Sequence, residues 1–171
     1  ECDIVHTLSP FMKEIALRQG VDQGAVVVIP NGIDPQEIGL DLIQGAPAAE
    51  ALRAGEQLRV LYVGGLLPIK GVRHLLRAIA LARQQTGPRI ALQCIGDGPE
   101  RAALNKLSKE LRLEDCVTFL GKVPKQDLAD HYTNADVLCV PSDSDALPTV
   151  VLEAFATGLP VIGANTGGIP F

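Results

Sequence analysis

The chain has 171 residues, of which 47% are hydrophobic, 4% are aromatic and 20% are charged, and its formal net charge at pH 7 is −5. This length leaves room for one full domain, or for one domain and part of another, with a core of aliphatic side chains. The negative charge argues against nucleic acid or an anionic membrane as a partner, and no apolar run of about 18 residues predicts a membrane-spanning helix.

The four cysteines lack the paired spacing of a metal site: Cys2, Cys94, Cys116 and Cys139. Two of them fall in or beside apolar runs, where a thiol behaves as a small hydrophobic group. We therefore expect free thiols in a reducing cytoplasm. The chain begins Glu-Cys-Asp without a basic leader, so we also expect no signal peptide.

The first 34 residues indicate one β–α–β unit. Residues 3–8 predict a strand, residues 10–19 an amphipathic helix after a Ser-Pro pair, and residues 25–29 a second strand. Residues 35–57 are polar and rich in glycine and alanine, which predicts a linker with room for one short helix over 47–53.

Strands and helices alternate from residue 58 onward. The predicted strands cover residues 58–63, 89–95, 116–120, 136–140 and 160–163, and the predicted helices cover 71–85, 99–111, 125–132 and 148–157. Continuous apolar runs separated by helices are typical of a parallel sheet covered on both faces. The sequence therefore predicts an α/β fold with a doubly wound, Rossmann-like parallel sheet, which binds ligands outside the carboxyl ends of its strands.

Glycine-rich loops follow the first two strands of this region. After the first strand come two glycines at 64–65 and then Lys70, at the start of a helix. A glycine turn lets the backbone approach a ligand, and a lysine at a helix start supplies positive charge for a phosphate. The second loop, residues 96–99, is common in folds of this class, and we expect Asp97 to cap the helix that follows.

Two carboxylates eight positions apart, Asp145 and Glu153, flank a Leu-Pro-Thr step. Pro148 suits the first turn of a helix, where its missing N–H costs nothing. The amides of Thr149 and Val150 then lie at the positive end of the helix dipole, which favours a phosphate. With the acids as acceptors for sugar hydroxyls, this pattern suggests a sugar-nucleotide site. Taken alone, it fits equally well a helix cap followed by an acid on a solvated face.

The order of these motifs resembles the donor-binding half of family-4 retaining glycosyltransferases of the GT-B fold. The resemblance covers nearly all of residues 1–170, including the Pro-Asn-Gly-Ile-Asp segment at 30–34 and the Thr-Gly-Gly-Ile-Pro segment at 166–170. It implies three parts. Residues 1–34 would end an N-terminal acceptor-type domain, residues 35–57 would form a linker, and residues 58–171 would form a nucleotide-sugar-binding domain truncated at its C-terminus.

The resemblance also implies a reaction, the transfer of a hexosyl group from a UDP-, GDP- or ADP-sugar to an acceptor with retention of configuration. No metal or other cofactor is expected. The implied catalytic residues are Lys70 on the donor diphosphate, Asp145 on the transferred sugar and Glu153 on the ribose. The implied donor-binding residues are Gly64, Gly65, Lys70, Lys122, Val123, Ala146, Leu147, Thr149, Val150 and Glu153. The family's active-site histidine would lie upstream, so His6, His74 and His131 are expected to be ordinary core or surface residues.

Two positions depart from the family pattern. Gly65 stands where the pattern Gly-Arg-x(4)-Lys-Gly has an arginine, and Asp145 stands where the first acid is a glutamate. Loss of a charged hydrogen bond typically costs about 1.5–3 kcal/mol, so we expect weaker donor binding or a different donor. The shorter acid alters the reach of a carboxylate in a site that requires close alignment.

These departures leave two alternatives open: a non-catalytic sugar-nucleotide-binding module, and a sugar-nucleotide epimerase of the same fold. The expected partners are the nucleotide sugar and the N-terminal domain of the same protein, and without that domain this chain alone should be inactive. Residues 1–34 could then self-associate through their apolar faces. Membrane association is not encoded in this chain, and a peripheral attachment would come through the other domain.

Overall fold

The computed structural model describes residues 3–39, 57–85 and 89–170 of the chain. At the N-terminus, β1 (Val5–Thr7) and β2 (Val26–Val28) form a two-stranded parallel sheet, and α1 (Pro10–Arg18) connects them. Ser9 caps α1, since its side chain accepts a hydrogen bond from the amide of Met12. The predicted β–α–β unit is therefore present.

A larger parallel sheet follows. Its elements in chain order are β3 (Gln57–Val63), α2 (Val72–Gln84), β4 (Arg89–Ile95), α3 (Arg101–Glu110), β5 (Val117–Gly121), α4 (Leu128–Thr133), β6 (Val137–Val140), α5 (Thr149–Ala156) and β7 (Val161–Gly163). Within the described residues the strand order is β5-β4-β3-β6-β7, and all the pairs are parallel. The predicted α/β fold with a parallel sheet is confirmed. The chain adds β4 and β5 on one side of β3 and then adds β6 and β7 on the other side. Sheets of this class bind ligands where the strand order reverses in this way, which here is between β3 and β6.

Two apolar cores cover the two faces of this sheet. On one face, α2 and α3 pack against side chains such as Val60 of β3. On the other face, α4 and α5 pack against side chains such as Leu61, the next residue of the same strand. Successive side chains of a strand point to opposite faces, so a strand covered on both sides reads as one continuous apolar run. This explains why the apolar runs in the sequence located the strands.

The helix after the second glycine loop starts later than its sequence indicates. The expected role of Asp97 as its cap is wrong, because α3 begins at Arg101 and the Asp97 carboxylate instead accepts a hydrogen bond from the amide of Gly98 at 2.8 Å. The amide of Glu100 donates to the carbonyl of Leu66 at 3.0 Å. The loop after β4 is therefore hydrogen-bonded to the loop after β3, and α3 starts only after this contact.

The chain approaches the larger sheet through a short 3-10 turn, Pro35–Ile38. Ile38 is fully buried in the core beside α4 and α5, and Glu37 forms an ion pair with Lys125. The predicted short helix over 47–53 and most of the predicted linker lie outside the described residues. The division of the chain into domains stays a prediction.

An ion pair joins the starts of β3 and β6. Arg59 Nη2 lies 2.7 Å from Asp136 Oδ1, and the backbone amide of Arg59 donates to Oδ2 of the same carboxylate at 2.7 Å. The hydrogen bonds from Arg59 lower the pKa of Asp136, because they favour the ionised carboxylate. A lowered pKa stabilises the fold above the ordinary pKa of an aspartate, and this contribution is lost as the pH falls through the folded-state value.

We therefore expect Asp136→Asn to lower the free energy of unfolding at pH 7 by about 1–2 kcal/mol. The variant should also lose less stability than the wild type as the pH falls below about 4. Urea titrations at several pH values measure both effects, and Glu114→Gln, at an exposed acid, serves as the control. Parallel pH profiles for the wild type and Asp136→Asn would contradict this role of the ion pair.

Candidate functional site

A cavity of about 270 Å³ opens beside the carboxyl ends of β3 and β6. Its lining includes residues from three segments that are distant in sequence: the glycine loop after β3, the loop after β6 and the first turn of α5. The predicted site residues in this lining are Gly64, Gly65, Lys70, Asp145, Leu147, Thr149 and Val150. The structure therefore brings most of the predicted site together at the point where the strand order reverses.

Lys70 and Asp145 form an ion pair within this cavity. Lys70 ends a short 3-10 turn, Pro68–Lys70, and its Nζ lies 2.5 Å from Asp145 Oδ2. The side chains are 29% and 13% exposed, respectively, so the pair is partly shielded from water. Among the described residues that line the cavity, Lys70 has the only cationic side chain. A phosphate entering the cavity therefore competes with Asp145 for this ammonium group.

The loop after β3 is held by a buried tyrosine. Tyr62 is 2% exposed, and its hydroxyl donates to the carbonyl of Gly65 at 2.9 Å. Burial, with smaller contributions from Cys94 and Asp145, raises the pKa of Tyr62, so the hydroxyl stays protonated and acts as a donor. This bond fixes the glycine loop at one wall of the cavity.

The loop that carries Asp145 is held by residues near the end of the described chain, Thr166 and the glycine pair at 167–168. The amide of Gly168 donates to the carbonyl of Asp145 at 2.6 Å, and the Thr166 hydroxyl donates to the carbonyl of Ser142 at 2.9 Å. A side chain at Gly168 would overlap the carbonyl oxygen of Ala146. Only glycine permits this close approach of the two backbones, which lets the amide of Gly168 hold the loop that carries Asp145.

The first turn of α5 contributes backbone donors to the cavity. The helix begins at Thr149, directly after Pro148, and its first amides precede the first intrahelical hydrogen bonds. The amide of Val151 donates to the carbonyl of Pro148 at 3.1 Å, whereas the amides of Thr149 and Val150 lie before it. Their partial positive charge can hold an anion at the end of the helix.

Glu153 lies outside the lining of this cavity, one turn further along α5. It is 7% exposed, and its Oε2 accepts a hydrogen bond from the Tyr132 hydroxyl at 2.5 Å. Burial, followed by this bond, raises the pKa of Tyr132, so the hydroxyl remains the donor. Glu153 is thus a buried and anchored acid, whereas the sequence indicated either an acid available to a ligand or an acid on a solvated face.

Three further predicted residues also lie outside the lining. Lys122 is exposed, Val123 packs partly against the core beside α4 and α5, and Ala146 contacts the glycine pair through its carbonyl.

Sequence reasoning also missed both tyrosines of the chain, Tyr62 and Tyr132. No motif surrounds either tyrosine in the sequence, so no local signal identified them.

The described histidines make contacts away from the cavity. His6 contacts the carbonyl of Ile29 at 2.7 Å, His131 contacts the side chain of Gln93 at 2.7 Å, and His74 lies 3.6 Å from Asp143. None of the three lines the cavity. Over residues 3–39, 57–85 and 89–170, no cluster of three or more metal-ligating side chains occurs, and no helix is long and apolar enough to span a bilayer.

One cysteine does line the cavity. Cys139, on β6, is a free thiol and is partly buried. Burial raises its pKa to about 11, so the thiol stays protonated at neutral pH. Nucleophilic reactions of cysteine require the thiolate, so this geometry gives Cys139 a packing role.

Comparison with known proteins adds three findings. Residues 48–170 match the family described as glycosyl transferases group 1. A D-inositol 3-phosphate glycosyltransferase of Kineococcus radiotolerans is 35% identical over 170 residues, which cover 92% of this chain and 38% of that protein. A GDP-mannose-dependent alpha-(1-6)-phosphatidylinositol monomannoside mannosyltransferase of Mycobacterium tuberculosis is 34% identical over 175 residues, which cover 98% of this chain and 45% of that protein.

A solved structure shares the same fold. Anabaena Alr3699/HepE, in complex with UDP and glucose, superposes with a TM-score of 0.77 at 23% identity, over 97% of this chain and 45% of that chain. At this identity the likeness is one of fold alone. The chain spans less than half the length of each of these three proteins.

Proposed function

Because the chain belongs to the glycosyl transferases group 1 family, we propose that it is the donor-binding part of a glycosyltransferase. The full protein would transfer a hexosyl group from a nucleoside diphosphate sugar to an acceptor, with retention of configuration at the anomeric carbon. The observation that carries this proposal is the meeting of Lys70, Asp145 and the first turn of α5 in one cavity. A cation, an acid and free helix amides at this position suit a phosphate with a sugar attached to it.

The proposed roles are those that the family resemblance implies, and the cavity lining supports them for Lys70, Thr149 and Val150. Lys70 and the amides of Thr149 and Val150 would hold the diphosphate and stabilise its charge as it leaves, which is the charge that develops in the transition state. Asp145, released from Lys70 by the phosphate, would accept hydrogen bonds from the transferred sugar. Glu153 would bind the ribose hydroxyls. Residues 122–123 would contact the base through their backbone, and residues 64–65 and 146–147 would enclose the donor.

The donor is proposed as a UDP-, GDP- or ADP-sugar. One relative is named as dependent on GDP-mannose, and the Anabaena protein was solved with UDP and glucose, so relatives and fold neighbours differ in their base. Backbone contacts to the base leave little trace in side chains, which is why the base has to be measured. The N-terminal domain of the same protein is the proposed partner, because it would supply the acceptor side of the site.

The proposal is tested first by binding and then by turnover in the full-length protein. Thermal-shift titration with UDP, GDP and ADP should reveal one preferred diphosphate, with a stabilisation of about 2.7 kcal/mol at a concentration of 100 times its dissociation constant. Glu153→Ala should weaken this stabilisation. A panel of UDP-, GDP- and ADP-sugars should then give a glycosylated product, and NMR of the product gives its anomeric configuration.

The turnover assay also separates the alternatives. Binding without transfer or hydrolysis of any donor, in a protein shown to be folded, would favour a non-catalytic sugar-nucleotide-binding module. Conversion of the donor to an epimer would favour an epimerase. The absence of binding by all three nucleotides would overturn the proposal itself.

Gly65→Arg should tighten binding of the preferred nucleoside diphosphate by about tenfold or more, because it adds a charged donor to a cavity whose cation is already paired. The backbone at position 65 has room for a Cβ, which would meet Leu67 at 3.7 Å and the carbonyl of Asp97 at 3.9 Å, and these are ordinary contacts. Gly65→Met is the matched control for added bulk without charge. Equal affinities for the two variants, measured by calorimetry, would contradict the prediction.

A further inference from the structure

A buried hydrogen bond connects α4 to the acid on α5. Tyr132 is fully buried, and its hydroxyl donates to Oε2 of Glu153, which is itself 7% exposed. At 2.5 Å this is a short bond between a neutral hydroxyl and a carboxylate, and bonds of this kind are stronger and more directional than neutral ones. The bond fixes one of the two oxygens of Glu153.

The other oxygen of Glu153 remains accessible. Within the described residues, Tyr132 is the side chain that donates a hydrogen bond to Glu153. Over the same residues, the one buried side-chain oxygen or nitrogen without a partner is Oε2 of Glu100. Oε1 of Glu153 accepts no hydrogen bond in this part of the chain, so if it were buried it would be a second atom of this kind. Oε1 is therefore in contact with solvent and can accept a hydrogen bond from a ligand.

The position of Glu153 on α5 relates it to the cavity. Val150 lines the cavity and lies three positions before Glu153, so the two residues are neighbours on one face of the helix. Lys125 is also near Glu153. The pKa of Lys125 is raised mainly by its hydrogen bond with Glu37, and the charge of the Glu153 carboxylate contributes to the same increase. Glu153 therefore lies just beyond the part of the cavity that the first turn of α5 lines, beside the loop that precedes α4.

We propose that Tyr132 is a positioning residue that holds Glu153 in the orientation in which Oε1 accepts hydrogen bonds from the ribose hydroxyls of the donor. This inference rests on the proposed function, since it requires a bound nucleoside diphosphate. Tyr132 itself is fully buried, so it would not touch a bound donor. It acts through the side-chain torsions of Glu153, which the hydrogen bond restricts.

A purely structural role for the same bond makes a different prediction. If the bond only satisfies a buried hydroxyl, Tyr132→Phe lowers stability but leaves the recognition of ribose unchanged. If Tyr132 orients Glu153, the variant loses the preference for a ligand that carries ribose hydroxyls. The decisive quantity is therefore the ratio of two affinities, that for the nucleoside diphosphate and that for its 2′,3′-dideoxy analogue.

The experiment measures this ratio by calorimetry on the full-length protein, with whichever of UDP, GDP and ADP binds best. The wild type should bind the ribonucleotide about tenfold more tightly than the dideoxy analogue, as expected for loss of a hydrogen bond to a charged group. In Tyr132→Phe this ratio should fall to within about twofold of unity, through weaker binding of the ribonucleotide alone. Glu153→Gln should lower the ratio as well.

Two controls separate positioning from general damage. Tyr62→Phe also removes a buried hydroxyl, one that holds the glycine loop, so it should weaken both ligands equally and leave the ratio unchanged. The double variant Tyr132→Phe/Glu153→Gln replaces the unpaired buried carboxylate by an amide, which keeps the test available if Tyr132→Phe alone unfolds. Its ratio should equal that of Glu153→Gln, because Tyr132 acts only through Glu153.

The outcomes are distinct. A ratio that is unchanged in Tyr132→Phe but lost in Glu153→Gln would overturn the role of Tyr132 and leave the proposed function standing. The role of Tyr132 would likewise be overturned by a wild-type ratio near unity, or by a double variant whose ratio differs from that of Glu153→Gln. A wild type that binds none of the three diphosphates would overturn both proposals.

Discussion

Lys70→Met should lower kcat/KM for sugar transfer by about 10²–10³-fold, the usual effect of removing one donor that faces developing negative charge. Methionine keeps most of the length and bulk of the lysine side chain but removes its charge. The loss should be large here because, among the described residues that line the cavity, Lys70 has the only cationic side chain. Steady-state kinetics with the preferred donor measure the effect.

Lys109→Met provides the matched control, since it makes the same change at an exposed position of α3 and should leave kcat/KM within about twofold of the wild type. An effect of Lys70→Met that is no larger than that of the control would remove Lys70 from the proposed mechanism.

The ion pair predicts that neutralising Asp145, the partner of Lys70, strengthens binding of a phosphate, whereas neutralising Lys70 weakens it. Asp145→Asn should strengthen binding of the free nucleoside diphosphate by about threefold to tenfold, because it removes the carboxylate that competes with the phosphate for Lys70. The same variant should lower the rate of transfer, since Asp145 is proposed to orient the sugar. Weaker diphosphate binding in Asp145→Asn would show that the ion pair supports the phosphate site and does not block it.

Gly71→Ala should lower the free energy of unfolding by about 3 kcal/mol or more, which is a fall in Tm of about 6–12 °C for a chain of this size. Gly71 lies directly after Lys70 with φ +67, and a Cβ at this position would overlap the carbonyl oxygen of Pro141. Pro141 precedes the loop that carries Asp145. The substitution would therefore separate the two loops that bring the ion pair together.

Gly20→Ala is a close control for this prediction. Gly20 also has a positive φ, +90, but a Cβ there would meet no atom within 4 Å. It should therefore show only the strain of the left-handed backbone, about 1 kcal/mol. Calorimetric melting of both variants separates strain from overlap, and equal losses of stability would show that the approach of Pro141 to Gly71 has no energetic consequence.

The regular elements could be predicted from the sequence because their signals are local. The apolar run at 58–63 became β3, and the spacing of Val72, Leu75, Leu76 and Ile79 became the buried face of α2. A strand covered on both faces and an amphipathic helix each carry their pattern within a few residues. The start of α3 was predicted wrongly because it depends on a contact with the distant loop after β3.

The candidate site could be predicted only in part. The glycine turn, the lysine and the Leu-Pro-Thr step each indicated a phosphate-binding element, and the structure places most of them around one cavity. The sequence could not show that Lys70 pairs with Asp145, because these residues lie 75 positions apart and meet only when β3 and β6 pair in the sheet.

The sequence by itself thus determined the parallel α/β sheet, the loops at its carboxyl edge and the residue types that suit a sugar nucleotide. The tertiary structure alone decided how those residues are paired: Asp145 with Lys70, and Glu153 with Tyr132. Periodicity and turn chemistry are set by neighbouring residues along the chain, whereas side-chain pairing depends on which strands and helices pack together. An acid read from the sequence as available to a ligand is therefore, in the folded protein, already held by a partner.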